Sequence, residues 1–220
     1  MTRVRDRSAT EDRILAAVGE VLAREGFAAI GVNAIAREAG VDKVLIYRYF
    51  GGLPDLLRTW GASGRFWPAA SEMLGDDPAA VLAMPLAERY VHFFERFIAA
   101  LRARPLTLEI LAAEVVDRNE LTAILEAERE QWGTEVEALF TDRDHPAHAE
   151  LRGTTLLLVA GVQYLLVRSR KLRVFGGVDV TSDAGWEELK TSIAAAAARM
   201  FPDPSPASRR PRVKHRGPPA

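Results

Sequence analysis

The chain contains no cysteine, which excludes disulfides, thiolate metal centres and cysteine nucleophiles. Long apolar runs are also missing. The longest, residues 154–167, falls short of the roughly 18 residues that a membrane span needs. Residues 1–12 are polar and contain no apolar h-region, so neither a secretory signal nor a membrane partner is expected and the location is read as cytoplasmic. No GxxxxGK[ST] loop, GxSxG elbow or HExxH pair is present. The single cluster of ligand-like side chains is His145-Pro146-Ala147-His148 with Asp142 and Asp144. Proline between the histidines disfavours a rigid helical pair, so the segment reads as a solvated loop rather than a metal site. The expectation is a protein that is not an enzyme and needs neither metal nor cofactor.

What is present is length, apolar content and helical periodicity. The 220 residues, 48% of them hydrophobic, suit a small domain joined to a larger one. Net charge is −1, and its distribution is uneven. Residues 1–60 hold 9 Lys/Arg against 8 Asp/Glu, residues 61–206 hold 15 against 22, and residues 207–220 hold 5 against 0. An acidic body with a near-neutral head suits a protein that meets nucleic acid through one edge. It also argues against a nonspecific nucleic-acid coat.

The informative stretch is residues 35–50. Ile35-Ala36 supply small apolar packing, Gly40 stands where a first helix must stop, and Asp42 can cap a second. In the second helix Ile46 and Phe50 are four apart and share an inward face. Lys43, Val44, Tyr47 and Arg48 fall on the other face, with Leu45 and Tyr49 at its edges. One side packs and the other is free to enter a major groove, which is how a helix-turn-helix works. Before it, Ser8-x-x-Glu11 reads as a capping box that opens a helix ending at Gly26, with Ile14, Val18, Val21 and Leu22 inward. Arg3, Arg5 and Arg7 are then expected in a disordered basic arm, residues 1–9, ordered only by an anionic partner. Pro54 fits the first turn of a further helix that buries Leu56, Leu57 and Trp60.

Ile35-Ala36-x-x-Ala39-Gly40-Val41, then Tyr47-x-x-Phe50 and Leu56-Leu57, resembles the DNA-binding signature of the tetracycline-repressor (TetR) family over about residues 10–60. The resemblance implies an all-α fold, an N-terminal three-helix helix-turn-helix domain followed by a C-terminal helical bundle that binds a small molecule and dimerises. On it the chain divides into a DNA-binding domain (1–60), a ligand-binding and dimerisation domain (61–201) and a disordered basic tail (202–220). Three departures stand out: Gly31 where a threonine cap is usual, with Asn33 available to assist; Leu53 where a lysine commonly reaches a phosphate; and Val44-Leu45 in place of a small polar pair. Lys43 and Arg48 are expected on phosphates or guanine, Tyr47 and Tyr49 on phosphates, and Val44 and Leu45 on base edges such as thymine methyls. For Tyr49, simple packing on the first helix is the competing reading.

The remainder reads as helices, with no segment convincing as a strand and residues 173–180 too broken to pair. Residues 154–167 are apolar on every side and so demand burial all round. Trp186, Leu189, Ile193, Ala197 and Met200 form a stripe on the last helix. Both features point to a homodimer through helices at about 149–172 and 184–201, reading a palindromic double-stranded operator. For the effector, the resemblance implies a pocket in the body. Phe66, Trp67, Tyr90, Phe93, Phe94, Phe97 and Trp132 are its candidate aromatic wall, and Glu114 and Gln163, with His92 and Glu109, its polar groups. The implied reading is a sequence-specific transcriptional regulator, a repressor released by a small hydrophobic effector. Its rival is a helical small-molecule-binding or enzymatic bundle with a vestigial DNA-binding head.

Overall fold

The structure, a computed structural model, describes residues 2–63, 67–115, 120–140 and 148–202. Ten α-helices make up nearly all of it: α1 (Thr2–Glu25), α2 (Val32–Ala39), α3 (Lys43–Phe50), α4 (Leu53–Ala62), α5 (Pro78–Ala83), α6 (Leu86–Arg102), α7 (Pro105–Glu114), α8 (Glu120–Phe140), α9 (His148–Ser169) and α10 (Asp183–Met200). No described helix is long and apolar enough to cross a membrane.

The first four helices form a compact head. Ile14, Val18 and Leu22 of α1 close over Ile35 and Ala36 of α2, Ile46 of α3, and Leu56, Leu57 and Trp60 of α4, all buried. Each of the larger side chains contributes roughly 1.5–3 kcal/mol by leaving water. Helix α1 departs from expectation at its start. Its backbone is helical from Thr2, where a disordered arm and a cap at Ser8 were expected. Neither Gly nor Pro interrupts residues 2–18, and Arg7 Nε donates to Glu11 Oε1 at 2.7 Å across one turn, a pairing that favours continuation over a cap.

The body packs on the head through two seams. Leu106 at the start of α7 and the indole of Trp60 lie over Gly19 of α1, and Gly61 of α4 lies against α8. A methyl group at position 61 would fall 3.1 Å from Glu128 Cγ and 3.4 Å from Leu125 Cδ2. Buried side chains run without a break from the head into the body. There α6 is the central element, presenting Tyr90, Phe93, Phe94, Phe97, Ile98 and Leu101 inward. Helix α5 and the 3-10 turn Ala70–Met73, absent from the sequence reading, precede it.

Two expectations fail here. Residues 173–180 do pair: β1 (Val174–Phe175) and β2 (Val178–Asp179) form an antiparallel hairpin, with Val174 opposite Asp179 and Phe175 opposite Val178. The turn is Gly176-Gly177, both at positive φ (59° and 91°), which is what a tight two-residue hairpin demands; the glycine pair is a hairpin signal as well as a breaker. The stripe on α10 is likewise used differently. Trp186, Ile193 and Ala197 are buried within the protomer, where α10 packs on α6, so they are not free to meet a partner. Trp186 Nε1 donates to the Val180 carbonyl at 2.9 Å, which anchors the hairpin to α10.

Candidate nucleic-acid interface and cavity of the body

The turn between α2 and α3 is built by two residues. Gly40 takes the left-handed conformation (φ 62°, ψ 40°) and ends α2, its N–H directed at the Ala36 and Arg37 carbonyls. A side chain there would be strained. Asp42 caps α3 by accepting from the Val44 N–H at 2.8 Å. Helix α2 has no side-chain cap at Gly31, Asn33 included. With both ends fixed, Ile46 points fully inward while Val44 is 60% and Tyr47 55% exposed. Lys43 and Arg48 are exposed beside them, and Leu45 and Tyr49 are half-buried. An aliphatic and an aromatic side chain thus stand in solvent between two cations.

Tyr49 is held from both sides. The Arg48 guanidinium lies 5.0 Å from its ring centroid and donates to its hydroxyl at 3.1 Å, and the Arg7 guanidinium also lies 5.0 Å from the centroid. This is the packing alternative raised for Tyr49, with Arg7 of α1 as the partner. Arg7 is held above its ordinary pKa by the hydrogen bond and charge of Glu11.

In the body, a cavity of about 350 Å³ lies between α7, α8 and α9. Leu111, Val115, Ala160 and Val167 give it apolar walls, and Glu114, Thr122, Glu126, Arg129, Gln163 and Tyr164 supply polar atoms. Arg129 Nη1 donates to both oxygens of Glu114, at 2.6 and 2.8 Å, in a pair with only 10% of the Glu114 and 19% of the Arg129 side chain exposed. Burial pushes the Glu114 carboxyl above its ordinary pKa, with Arg129 opposing that rise and Glu126 adding to it. The Arg129 guanidinium also lies 5.8 Å from the Trp67 ring centroid. A second cleft, between α6 and α10, is bordered by Glu88, His92, Glu95, Ala194 and Ala198.

A model of the family described as bacterial regulatory proteins, tetR family, matches residues 14–58, the span from the buried stripe of α1 through the recognition helix into α4. Residues 14–58 are a TetR-family DNA-binding domain. The chain is 28% identical over 200 residues to the HTH-type transcriptional repressor SCO4008 of Streptomyces coelicolor, covering 89% of this chain and 97% of that protein. Among solved structures, it resembles the fatty acid degradation regulator FadR from Bacillus halodurans with a TM-score of 0.58 at 17% identity, over 86% of this chain and 94% of that one. A TetR-family regulator from Rhodococcus sp. gives 0.56 at 18% identity, over 88% and 99%. At such identities the structures speak for the fold.

In this TetR-family head the expected DNA-facing residues come together on one side of α3, with Leu45 and Tyr49 partly withdrawn from it. The expected pocket residues divide. Glu114 and Gln163 line the cavity between α7, α8 and α9. Trp67, Tyr90, Phe93, Phe94 and Phe97 are buried against one another instead. Phe93 stacks on Phe97 at 5.5 Å, Trp67 meets the Trp132 ring edge-on at 5.5 Å, and Trp132 stacks on Phe97 at 5.7 Å. They line neither cleft, because neighbouring aromatic rings at helical spacing satisfy each other first. Phe66 lies outside the described residues, as do Asn119, residues 141–147 and the tail 203–220. Glu109 is exposed and pairs with Arg170, the residue after α9, and His92 faces the second cleft.

Thr122, Glu126 and Arg129 were missed. They recur at four- and three-residue spacing on one face of α8, beside the apolar row of Leu125 and Val136. A polar stripe on a helix otherwise packed on two sides was the signal that could have found them.

Proposed function

We propose that this TetR-family, DNA-binding transcriptional regulator is a homodimeric repressor that a small molecule releases from a palindromic operator. The observation that carries the reading is the face of α3. Tyr47 and Val44 stand in solvent beside Lys43 and Arg48, while Ile46 on the same helix is fully buried. An exposed Val–Tyr pair has no purpose in the protomer's own core, and it suits a groove floor with phosphates at its edge. We assign Lys43, Tyr47 and Arg48 to phosphates or guanine and Val44, with Leu45 behind it, to base edges. Tyr49 acts through Arg7 and Arg48 instead of reaching for DNA. The sign, repression, follows the named relative SCO4008. The boundary between head and body falls after Trp60, and an operator target places the regulator in the cytoplasm.

The exposed face of α9 supports the dimer. The helix leaves Leu156 67%, Leu157 74% and Tyr164 51% exposed, a stripe too apolar for solvent. Two-fold symmetry would set the two α3 helices about 34–36 Å apart or a multiple of it. The effector would occupy the cavity between α7, α8 and α9 and favour a head spacing that mismatches the operator. Helix α8 carries the shift, since its Glu126–Arg129 face lines the cavity while Leu125 and Glu128 press on Gly61 of α4.

Selection of bound duplexes from a random pool at physiological salt tests the reading. One enriched palindrome is expected. A folded dimer that enriches nothing would overturn it.

A further inference from the structure

Two guanidinium groups from different helices meet on one aromatic ring at the edge of α3. Arg48 of α3 and Arg7 of α1 each stand 5.0 Å from the Tyr49 ring centroid, so the two like charges are separated by at most twice that distance. Each is held by one edge. Arg7 donates through Nε to Glu11 Oε1 at 2.7 Å, and Arg48 through Nη2 to the Tyr49 hydroxyl at 3.1 Å. Both Nη groups of Arg7, and Nε and Nη1 of Arg48, have no partner among the described residues, and both side chains are exposed. A ring attracts each cation, but two cations on one ring repel each other. Glu11 is the single carboxylate paired with either of them among the described residues. An anion that accepts from both free edges would relieve that repulsion.

We propose that Arg7 and Arg48 form a seat for the phosphate backbone of one DNA strand, and that Tyr49 is the positioning residue that gathers the two guanidiniums with their free edges outward. The inference rests on the DNA-facing reading of α3 and deepens it, because it brings α1 into the interface and assigns Arg48 to phosphate. The place of the seat fits. Around α3 the exposed Val44 and Tyr47 are flanked by Lys43 on one side and Arg48 on the other. A helix lying in a groove with that face down would present Lys43 toward one bordering strand and the Arg48–Arg7 pair toward the other.

The seat is prepared before DNA arrives. A long side chain already fixed by a ring and a hydrogen bond loses less freedom on binding than a free one. The planar fork of a guanidinium meets phosphate oxygens through parallel charge-assisted hydrogen bonds, which the point charge of a lysine does not reproduce. Such contacts fix register and affinity and carry no base preference of their own, so a duplex of any sequence can report them.

The test follows binding of a fluorescein-labelled random duplex pool by anisotropy across a salt series, with circular dichroism and thermal melting on every variant. Arg7→Ala and Arg48→Ala are each expected to weaken binding about tenfold. Each should also flatten the slope of log affinity against log salt by about 0.9 for every head engaged, a change that lost stability alone would not produce. Tyr49→Phe keeps the ring, and adding Arg7→Ala to it should still cost about tenfold. In Tyr49→Leu, or Tyr49→Met should the first not fold, nothing gathers the guanidiniums, and the added cost of Arg7→Ala should shrink to about threefold or less. An equal cost of Arg7→Ala in every background would overturn the positioning role of Tyr49. Arg7→Ala with the parent's affinity and slope, while Lys43→Ala binds more weakly, would overturn the seat and leave the reading of α3 standing. Lys43→Ala, Arg7→Ala and Arg48→Ala all binding like the parent would overturn both.

Discussion

Replacing Arg129 by methionine isolates what the buried ion pair contributes. The substitution keeps most of the apolar stem that packs near Trp67, but removes the guanidinium whose Nη1 satisfies both Glu114 oxygens. Glu114, with 10% of its side chain exposed, is then left as a carboxylate with little access to water. Breaking one partner of a buried pair costs about 3–5 kcal/mol. Because 19% of the Arg129 side chain remains exposed, the lower end, about 3 kcal/mol, is expected. With a urea m value of about 2 kcal/mol/M, the midpoint at pH 7.5 should fall by about 1.5 M at fixed protein concentration. The pH dependence gives the sharper signature. Glu114 has a folded-state pKa above its unfolded value, because burial outweighs Arg129. Its penalty is therefore fully present above the folded pKa and is relieved as pH falls through that value toward the unfolded one. Without Arg129 the folded value rises further, so the gap between variant and parent should narrow between pH 7.5 and 5.5. Glu114→Gln/Arg129→Met, which has no charge to strand, should lie closer to the parent at pH 7.5 than the single variant does. A single variant with the parent's midpoint at pH 7.5, or a gap that stays constant on acidification, would refute the reasoning.

Other expectations follow from single contacts. Tyr47→Ala, at a half-exposed position, should leave the circular dichroism spectrum intact and weaken operator binding by about 1.5 kcal/mol or more, the loss of a hydrogen bond to a charged group; titration at matched salt checks this, and unchanged affinity removes Tyr47 from the interface. Asp42→Ala removes the cap of α3 and should cost about 1 kcal/mol in chemical denaturation. Gly185→Ala would drive a methyl group to 2.0 Å from the Asp179 carbonyl oxygen; a loss of about 3 kcal/mol is expected, read by thermal melting, and a neutral result would mean the hairpin does not pack there. The Asp179 carboxyl is drawn down to about 2 by Thr181 and then Arg173, so its contribution is present at neutral pH and lost only as pH falls through that value; Arg173→Ala should raise this pKa in a carboxyl-resolved NMR titration.

The head was legible because its constraints are local. A left-handed glycine, an aspartate cap and apolar residues four apart fix the α2–α3 turn whatever lies beyond it. The body was legible only as helices. Tyr90, Phe93, Phe94 and Phe97 recur with a period that states burial, but period alone cannot distinguish packing on a neighbour from lining a cavity. Here they pack on each other, and the cavity lies where charged and hydroxyl side chains of α8 face α9. The α10 stripe shows the same limit: Trp186 and Ile193 had to be buried, and the sequence does not say whether by α6 or by a second chain. The hairpin was missed for another reason. Two-residue strands are too short to alternate visibly, so the Gly176-Gly177 turn was the only trace of them.

Helix α8 presents one row, Glu126 and Arg129, to the cavity and an adjacent row, Leu125 and Glu128, to the glycine of α4. Residues on different rows of a helix face different neighbours. A lineage descended from this chain could therefore alter the lining of the cavity, one side chain at a time, without redesigning the seam between body and head. The shape of the cavity and the fit of body to head would then vary as separate traits, although a single helix of 21 residues carries both.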